Sequence, residues 1–277
     1  TTNEKLADII VADNGSTDNS VEFIEKEFPN VKLLKFTENY GFAEGYNQAI
    51  AQTRYKYTIL LNSDAASKEG WIEPIYEYME AHPQTGACQP KLLSYTTPDE
   101  FEYAGAAGGY IDKYGYPFCR GRIFQNLETD EGQYNDIKEV FWATGACMFV
   151  KASLYHQFGG LDDDFFAHME EIDFCWRLKN SDYKIMYCPS SKIYHIGGGT
   201  LPKSSARKTY LNFRNNLSLL MKNLPEGKVF GTIFYRFFLD WIAAFKFLFE
   251  GSFADFFAVT RAHLSFLRHL SVLKKKR

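Results

Sequence analysis

The sequence predicts an α/β fold, a mixed but mainly parallel sheet flanked by helices, on three observations. Between Leu6 and Ala81, short apolar runs alternate with stretches of helical period, the pattern of strand–helix–strand units. Two of those runs end on polar turns carrying a carboxylate, Asp13-Asn14-Gly15-Ser16-Thr17-Asp18 and Asn62-Ser63-Asp64. Ligand sites of open α/β sheets lie at such strand ends. No G-x-G-x-x-G follows any candidate strand, which argues against a dinucleotide-binding dehydrogenase.

At 277 residues the chain holds one large domain or two small ones. A 45% hydrophobic share is enough for a core, and a net charge of -3 gives no reason to expect nucleic acid as a partner. The five cysteines are scattered and form no C-x-x-C pair, so a reduced cytosolic setting is the simpler reading.

In order, strands are expected at residues 6–12, 31–36 and 57–61, with helices at 19–27, 44–52 and 71–81. The polar lead Thr1-Thr2-Asn3-Glu4-Lys5 reads as the tail of a loop after a helix, so an earlier strand and helix are expected upstream. Residues 87–139 mix Gly, Tyr and charge and read as short strands and loops over a cleft. A strand at 140–150, a helix within 165–180, a strand at 183–188 and a helix at 203–223 follow. We place a domain boundary there, with residues 1–223 as the α/β domain and 224–277 as a helical segment.

In that last segment, Arg236, Asp240, Lys246 and Glu250 fall within about one third of a helix circumference. Charges in the middle of the run argue against a membrane-spanning helix. The broad aromatic remainder, with the terminal Lys274-Lys275-Lys276-Arg277, suits a helix lying in a membrane interface or a dimer contact.

The densest chemistry runs from Trp142 to Gly199. It contains Trp142-Ala143-Thr144-Gly145-Ala146-Cys147, Gly159-Gly160-Leu161-Asp162 through Phe166, Glu170-Glu171-Ile172-Asp173, and Tyr194-His195 before a glycine run. With Asp64, these carboxylates and the histidine point to metal binding and proton transfer in one cleft.

Together with residues 11–18, residues 39–47 and Leu60-Leu61-Asn62-Ser63-Asp64, these segments resemble, in order, the inverting family 2 glycosyltransferases of GT-A fold. Rhamnosyltransferase-like members of bacterial surface-polysaccharide pathways are the nearest type. The resemblance spans roughly residues 6–200 and departs at three points. The family's first strand and helix are not seen, Asn62 stands where many members have Asp, and Glu171 stands where Asp is commoner.

The resemblance implies transfer of a sugar from a UDP- or dTDP-sugar to a saccharide or lipid-linked saccharide, on the inner face of the cell membrane. It assigns donor contacts to Asp13, Asn39, Gly41, Asn47 and Asn62. Asp64 and His195 would hold Mn²⁺ or Mg²⁺ against the diphosphate, an oxygen-rich task suited to a hard cation. Glu171 is the expected general base, with Glu170 and Asp173 as rivals on the acceptor side. Trp142 and Gly145 would line the acceptor, and Arg214, with Arg207, would reach phosphate oxygens. A competing reading is a degenerate glycosyltransferase-like module that binds carbohydrate, or a protein partner, without turnover.

Overall fold

The computed structural model describes residues 6–124, 126–197 and 205–277. The chain runs β1 (Ile10–Asp13), α1 (Ser20–Glu27), β2 (Lys32–Lys35), α2 (Gly41–Ala51), β3 (Tyr57–Leu61), β4 (Ala65–Ser67), α3 (Glu73–Ala81) and β5 (Thr85–Ser94). Two small hairpins follow, β6 (Gly109–Ile111) with β7 (Pro117–Cys119), and β8 (Arg122–Ile123) with β9 (Asn126–Leu127). Then come β10 (Lys138–Val140), β11 (Cys147–Lys151), α4 (Ala152–Gln157), α5 (Glu170–Lys179) and β12 (Lys184–His195). Three long helices close the chain, α6 (Ala206–Asn223), α7 (Glu226–Phe249) and α8 (Phe253–Lys276).

The sheet is mixed, as expected, but its bias is not parallel. The central order is β10-β12-β5-β11-β3, with β4 also on β12. Only β12 and β5 run parallel within it; the other four pairings are antiparallel. The reason is connectivity. A parallel neighbour needs a long crossover, usually a helix. Between β5 and β11 there is no helix among the described residues, and β11 returns antiparallel. The β1–α1–β2 unit has its helix and is parallel, but it stands as a separate pair.

β5 is the hub. It is buried almost throughout, although its sequence includes Gln89, Pro90 and Lys91. Gln89 accepts from Thr144 N–H at 3.0 Å and donates to Gly105 O at 3.0 Å. The fully buried Lys91 ammonium reaches Asp130 and Asn135, each at 2.7 Å. A buried charge survives only when partnered in this way. These bonds fasten the irregular 95–140 segment onto the sheet.

α6 packs along α8 and α7, and α5 packs on α6. The Asp173 carboxylate of α5 takes Arg177, Lys222 and Asn223, each at 2.8 Å, entirely out of solvent. That network fixes the start of α5 against the C-terminal helices.

Removing Asp130 leaves Lys91 with one neutral partner. Asp130→Ala should lower unfolding free energy by about 3 kcal/mol in urea titration, the usual cost of breaking a buried pair. A loss near zero would mean that Lys91 is not held by this contact.

Candidate active site

Antiparallel pairing of β4 with β12 places Ala65 directly opposite His195. Asp64, one residue before β4, therefore sits against the imidazole, with its Oδ1 3.0 Å from Nε2. Asn62 Nδ2 lies 3.3 Å from the same nitrogen. Its backbone N–H donates to Ala146 O at 3.0 Å, tying the strand end to the Gly145-Ala146 turn.

On the opposite side of the ring is a residue the sequence reading missed. Glu102 Oε1 is 3.3 Å from His195 Nδ1, and its Oε2 accepts from Ala104 N–H at 2.5 Å. Glu102 is buried, and its backbone N–H donates to Leu92 O on β5. Nothing in the pattern Phe101-Glu102-Tyr103 announces this; only the fold along β5 brings it to His195. Burial works against the imidazolium, but the Glu102 and Asp64 carboxylates outweigh it and raise His195 above its ordinary range.

This donor set fits a hard divalent cation. Two cis ligands of an octahedral ion at ~2.1 Å lie ~3.0 Å apart, the spacing found between Asp64 Oδ1 and His195 Nε2. Glu102 stands 3.3 Å behind Nδ1, at ion-pair distance but not aligned for a hydrogen bond, where a carboxylate commonly backs a metal-bound histidine. Asp162, Asp163 and Asp164 also cluster within 4.8 Å, but Asp162 and Asp164 already pair with Lys222 and Lys276 at 2.5–2.6 Å, and Asp163 lies 3.7 Å from Lys276.

Glu171 lies in the first turn of α5, half-buried, with its Cβ about 4.0 Å from where a side chain on Gly145 would begin. Burial lifts its carboxyl to about 7, against backbone N–H groups at the helix start that favour the charge. One Glu171 oxygen has no hydrogen-bond partner among the described residues. Glu170 beside it is more deeply buried, and burial and the Glu171 charge push its carboxyl well above its ordinary range. The loop into α5 is strained: Phe166, His168 and Met169 all have positive φ, at 62°, 69° and 75°. Asn215 Nδ2 restrains it by donating to the carbonyls of Phe165, Ala167 and His168 at 2.8–3.0 Å.

The Asp13 and Asn39 loops are knitted together by Asn14. Its amide donates to Gly41 O at 2.8 Å and its Oδ1 accepts from Tyr40 N–H at 3.0 Å. Asn39 Oδ1 accepts from Gly41 N–H at 2.9 Å, and Asp13 is buried with Ser16 N–H on its carboxylate. Gly41 has φ +80°, and the Phe166 ring would lie 2.7 Å from any Cβ there.

Five expected site residues are engaged elsewhere. Asn47 bonds the Leu161 backbone and the Tyr155 hydroxyl, docking α2 on the Gly160 turn instead of facing a donor. Trp142 is buried, donates to Tyr110 O at 2.8 Å and packs under Gly109, so it is core and not an acceptor wall. Asp173 is sealed in the network on α6. Arg214 donates to the carbonyls of Asp164 and Phe165, and Arg207 stacks on Phe166 at 5.1 Å, so both brace the acidic loop. Of the expected glycine run, Gly198 and Gly199 lie outside the described residues.

A profile described as Glycosyl transferase family 2 matches residues 3–159, more than half of the chain. The chain belongs to that family. An N-acetylglucosaminyl-diphospho-decaprenol L-rhamnosyltransferase of Mycobacterium tuberculosis is 28% identical over 210 residues, covering 69% of this chain and 67% of the relative. A low-salt glycan biosynthesis hexosyltransferase of Haloferax volcanii is 25% identical over 218 residues, covering 76% of this chain and 66% of the relative. Among solved structures, GalNAc-T7 with UDP, GalNAc and Mn²⁺ superposes with TM-score 0.61 at 14% identity, covering 80% of this chain and 43% of that one. A mannosyltransferase of Pyrobaculum calidifontis with GDP-Man and Mn²⁺ gives 0.53 at 14% identity, covering 95% and 66%. These likenesses show the GT-A fold.

If Asp173 is a buried anchor, Asp173→Ala should cost about 3 kcal/mol in unfolding free energy, because Arg177 loses its counter-charge and Lys222 keeps only Asp162. An unchanged denaturation midpoint with a raised acceptor KM would restore it to the acceptor side.

Proposed function

We propose that this chain is a metal-dependent, inverting glycosyltransferase that acts in cell-surface polysaccharide synthesis. The donor is a UDP- or dTDP-sugar, with dTDP-rhamnose the leading case. The acceptor is a saccharide or lipid-linked saccharide at the cytoplasmic face of the membrane. The single observation that carries this reading is the Asp64–His195 contact backed by Glu102, beside a strand end that the Asn62 N–H ties to the Gly145-Ala146 turn near Glu171. The mycobacterial relative, named for a rhamnosyl transfer to a diphospho-polyprenol, supports the choice of donor and acceptor.

Asp64 and His195 would hold Mn²⁺ or Mg²⁺, and a divalent ion there supplies positive charge beside the leaving diphosphate. Glu102, 3.3 Å from Nδ1, backs the imidazole with negative charge. Asp13, with the loop of Asn39 and Gly41 that Asn14 braces, forms the donor side. Asn62, which follows β3 and lies 3.3 Å from His195, would contact the donor.

Glu171 accepts the proton of the acceptor hydroxyl as that oxygen bonds to the anomeric carbon. The carbon–oxygen bond to the diphosphate breaks on the opposite face, so the configuration inverts. A carboxylate held near 7 suits this role, since a base works best with a pKa close to the operating pH. Burial raises the Glu170 carboxyl too, so the pair does not carry two full charges easily.

Transfer to a saccharide acceptor should rise with pH through about 7 and level off, because only ionised Glu171 takes the proton. Glu171→Gln should lower kcat by about 10²–10⁴-fold while nucleotide binding, read by thermal shift, stays within about threefold. Full turnover in that variant would place the base elsewhere.

A further inference from the structure

An amphipathic helix on a water-facing surface turns its charges outward. In α7 the order is reversed. Arg236 and Asp240 are 2% and 0% exposed, whereas Phe230, Phe234 and Phe249 are 84%, 71% and 86% exposed. The charges serve as the attachment. Arg236 donates to Tyr114 O at 2.9 Å and to Asn216, and stacks on Tyr116 at 3.8 Å. Asp240 receives Arg236 at 3.2 Å and lies 3.2 Å from His263 of α8. Of the stripe of charge expected from the helical spacing, Arg236 and Asp240 turn inward, and Lys246 and Glu250 face solvent.

At 3.6 residues per turn, Phe230, Phe234, Phe238, Phe245 and Phe249 share an arc of about 100°. Past Gly251, Phe253, Phe257 and Leu264 of α8 share an arc of about 80° with Arg261, Arg268 and Lys275. All of these residues are exposed. Contiguous exposed aromatic surface marks a contact site.

We propose that the outer faces of α7 and α8 dock on an anionic phospholipid bilayer. The phenylalanine rings enter the boundary between headgroups and acyl chains, and Arg261, Arg268 and Lys275 pair with lipid phosphates. Charge decides between a bilayer and a second copy of the chain. The exposed carboxylates of α7 and α8 are Glu226, at the start of α7, and Glu250, already 3.7 Å from Lys246. Two copies meeting through this face would set arginine against arginine, whereas an anionic bilayer offers the opposite charge. No helix among the described residues is long and apolar enough to cross a membrane, so the contact lies along the surface. The inference stands on burial and charge alone and does not rest on the transferase reading.

Flotation of the purified chain with vesicles tests it without turnover. Phosphatidylcholine vesicles containing phosphatidylglycerol should carry the protein, pure phosphatidylcholine should carry less, and added salt should release it. The triple variant Phe230→Ser, Phe234→Ser, Phe249→Ser should lose about tenfold or more of vesicle binding with an unchanged melting temperature. Arg261→Glu with Arg268→Glu should abolish the preference for phosphatidylglycerol. Failure of the wild-type chain to float, or flotation indifferent to both variants, overturns the proposal. A concentration-dependent dimer dispersed by the triple variant, with no vesicle binding, overturns it in favour of a second copy.

Discussion

The structure depends on one imidazole held between two carboxylates. His195 ends β12, the strand that also carries β5, β10 and β4, so the sheet sets the ring's position before any ligand arrives. Asp64 and Glu102 come from opposite sides of it, one through the β3–β4 turn and one from the segment that follows β5. Separated, each carboxylate is an ordinary strand-end or loop residue. Gathered in a partly buried cluster, they concentrate negative charge around the ring. That charge raises the proton affinity of His195 against the cost of its burial.

The second half of the site is built by a different device. α5 begins after a strained loop, and that strain is held by Asn215 below and by the Asp173–Lys222 network at the helix start. The same arrangement aims Glu171 at the Gly145 turn while burying it enough to lift its carboxyl toward neutrality. A rigid scaffold around a few poised groups is how an enzyme obtains acid–base chemistry at neutral pH. The C-terminal helices belong to this scaffold, because Lys222 and Asn215 sit on α6, and α6 is packed along α8.

What could be read in advance followed from periodicity. β3 has the bounds its apolar run predicts, and α1, α2, α3, α6 and α7 fall within about three residues of their patterns. β5 was illegible because its buried polar residues are satisfied by Asp130, Asn135, Gly105 and Thr144, partners far along the chain. Asn47, Trp142 and Asp173 were misassigned for the same reason. A polar group beside a motif looks exposed in sequence, and only the fold reveals that its bonds are spent on the interior. Glu102 shows the converse, a site residue in a stretch with no period and no motif. In α7 the stripe of charge is legible but the inward turn of Arg236 and Asp240 is not, since burying them requires Asn216, Tyr114 and His263 to meet them.

The central claim is that Asp64 and His195 form one cation site. The most direct measurement is Mn²⁺ binding by electron paramagnetic resonance, with free Mn²⁺ titrated by wild-type chain and by Asp64→Asn and His195→Ala variants in the presence of a nucleoside diphosphate. One site in the wild type, weakened by about tenfold or more in each variant while melting temperature is kept, is the expected result. Equal Mn²⁺ affinity in all three proteins would contradict it.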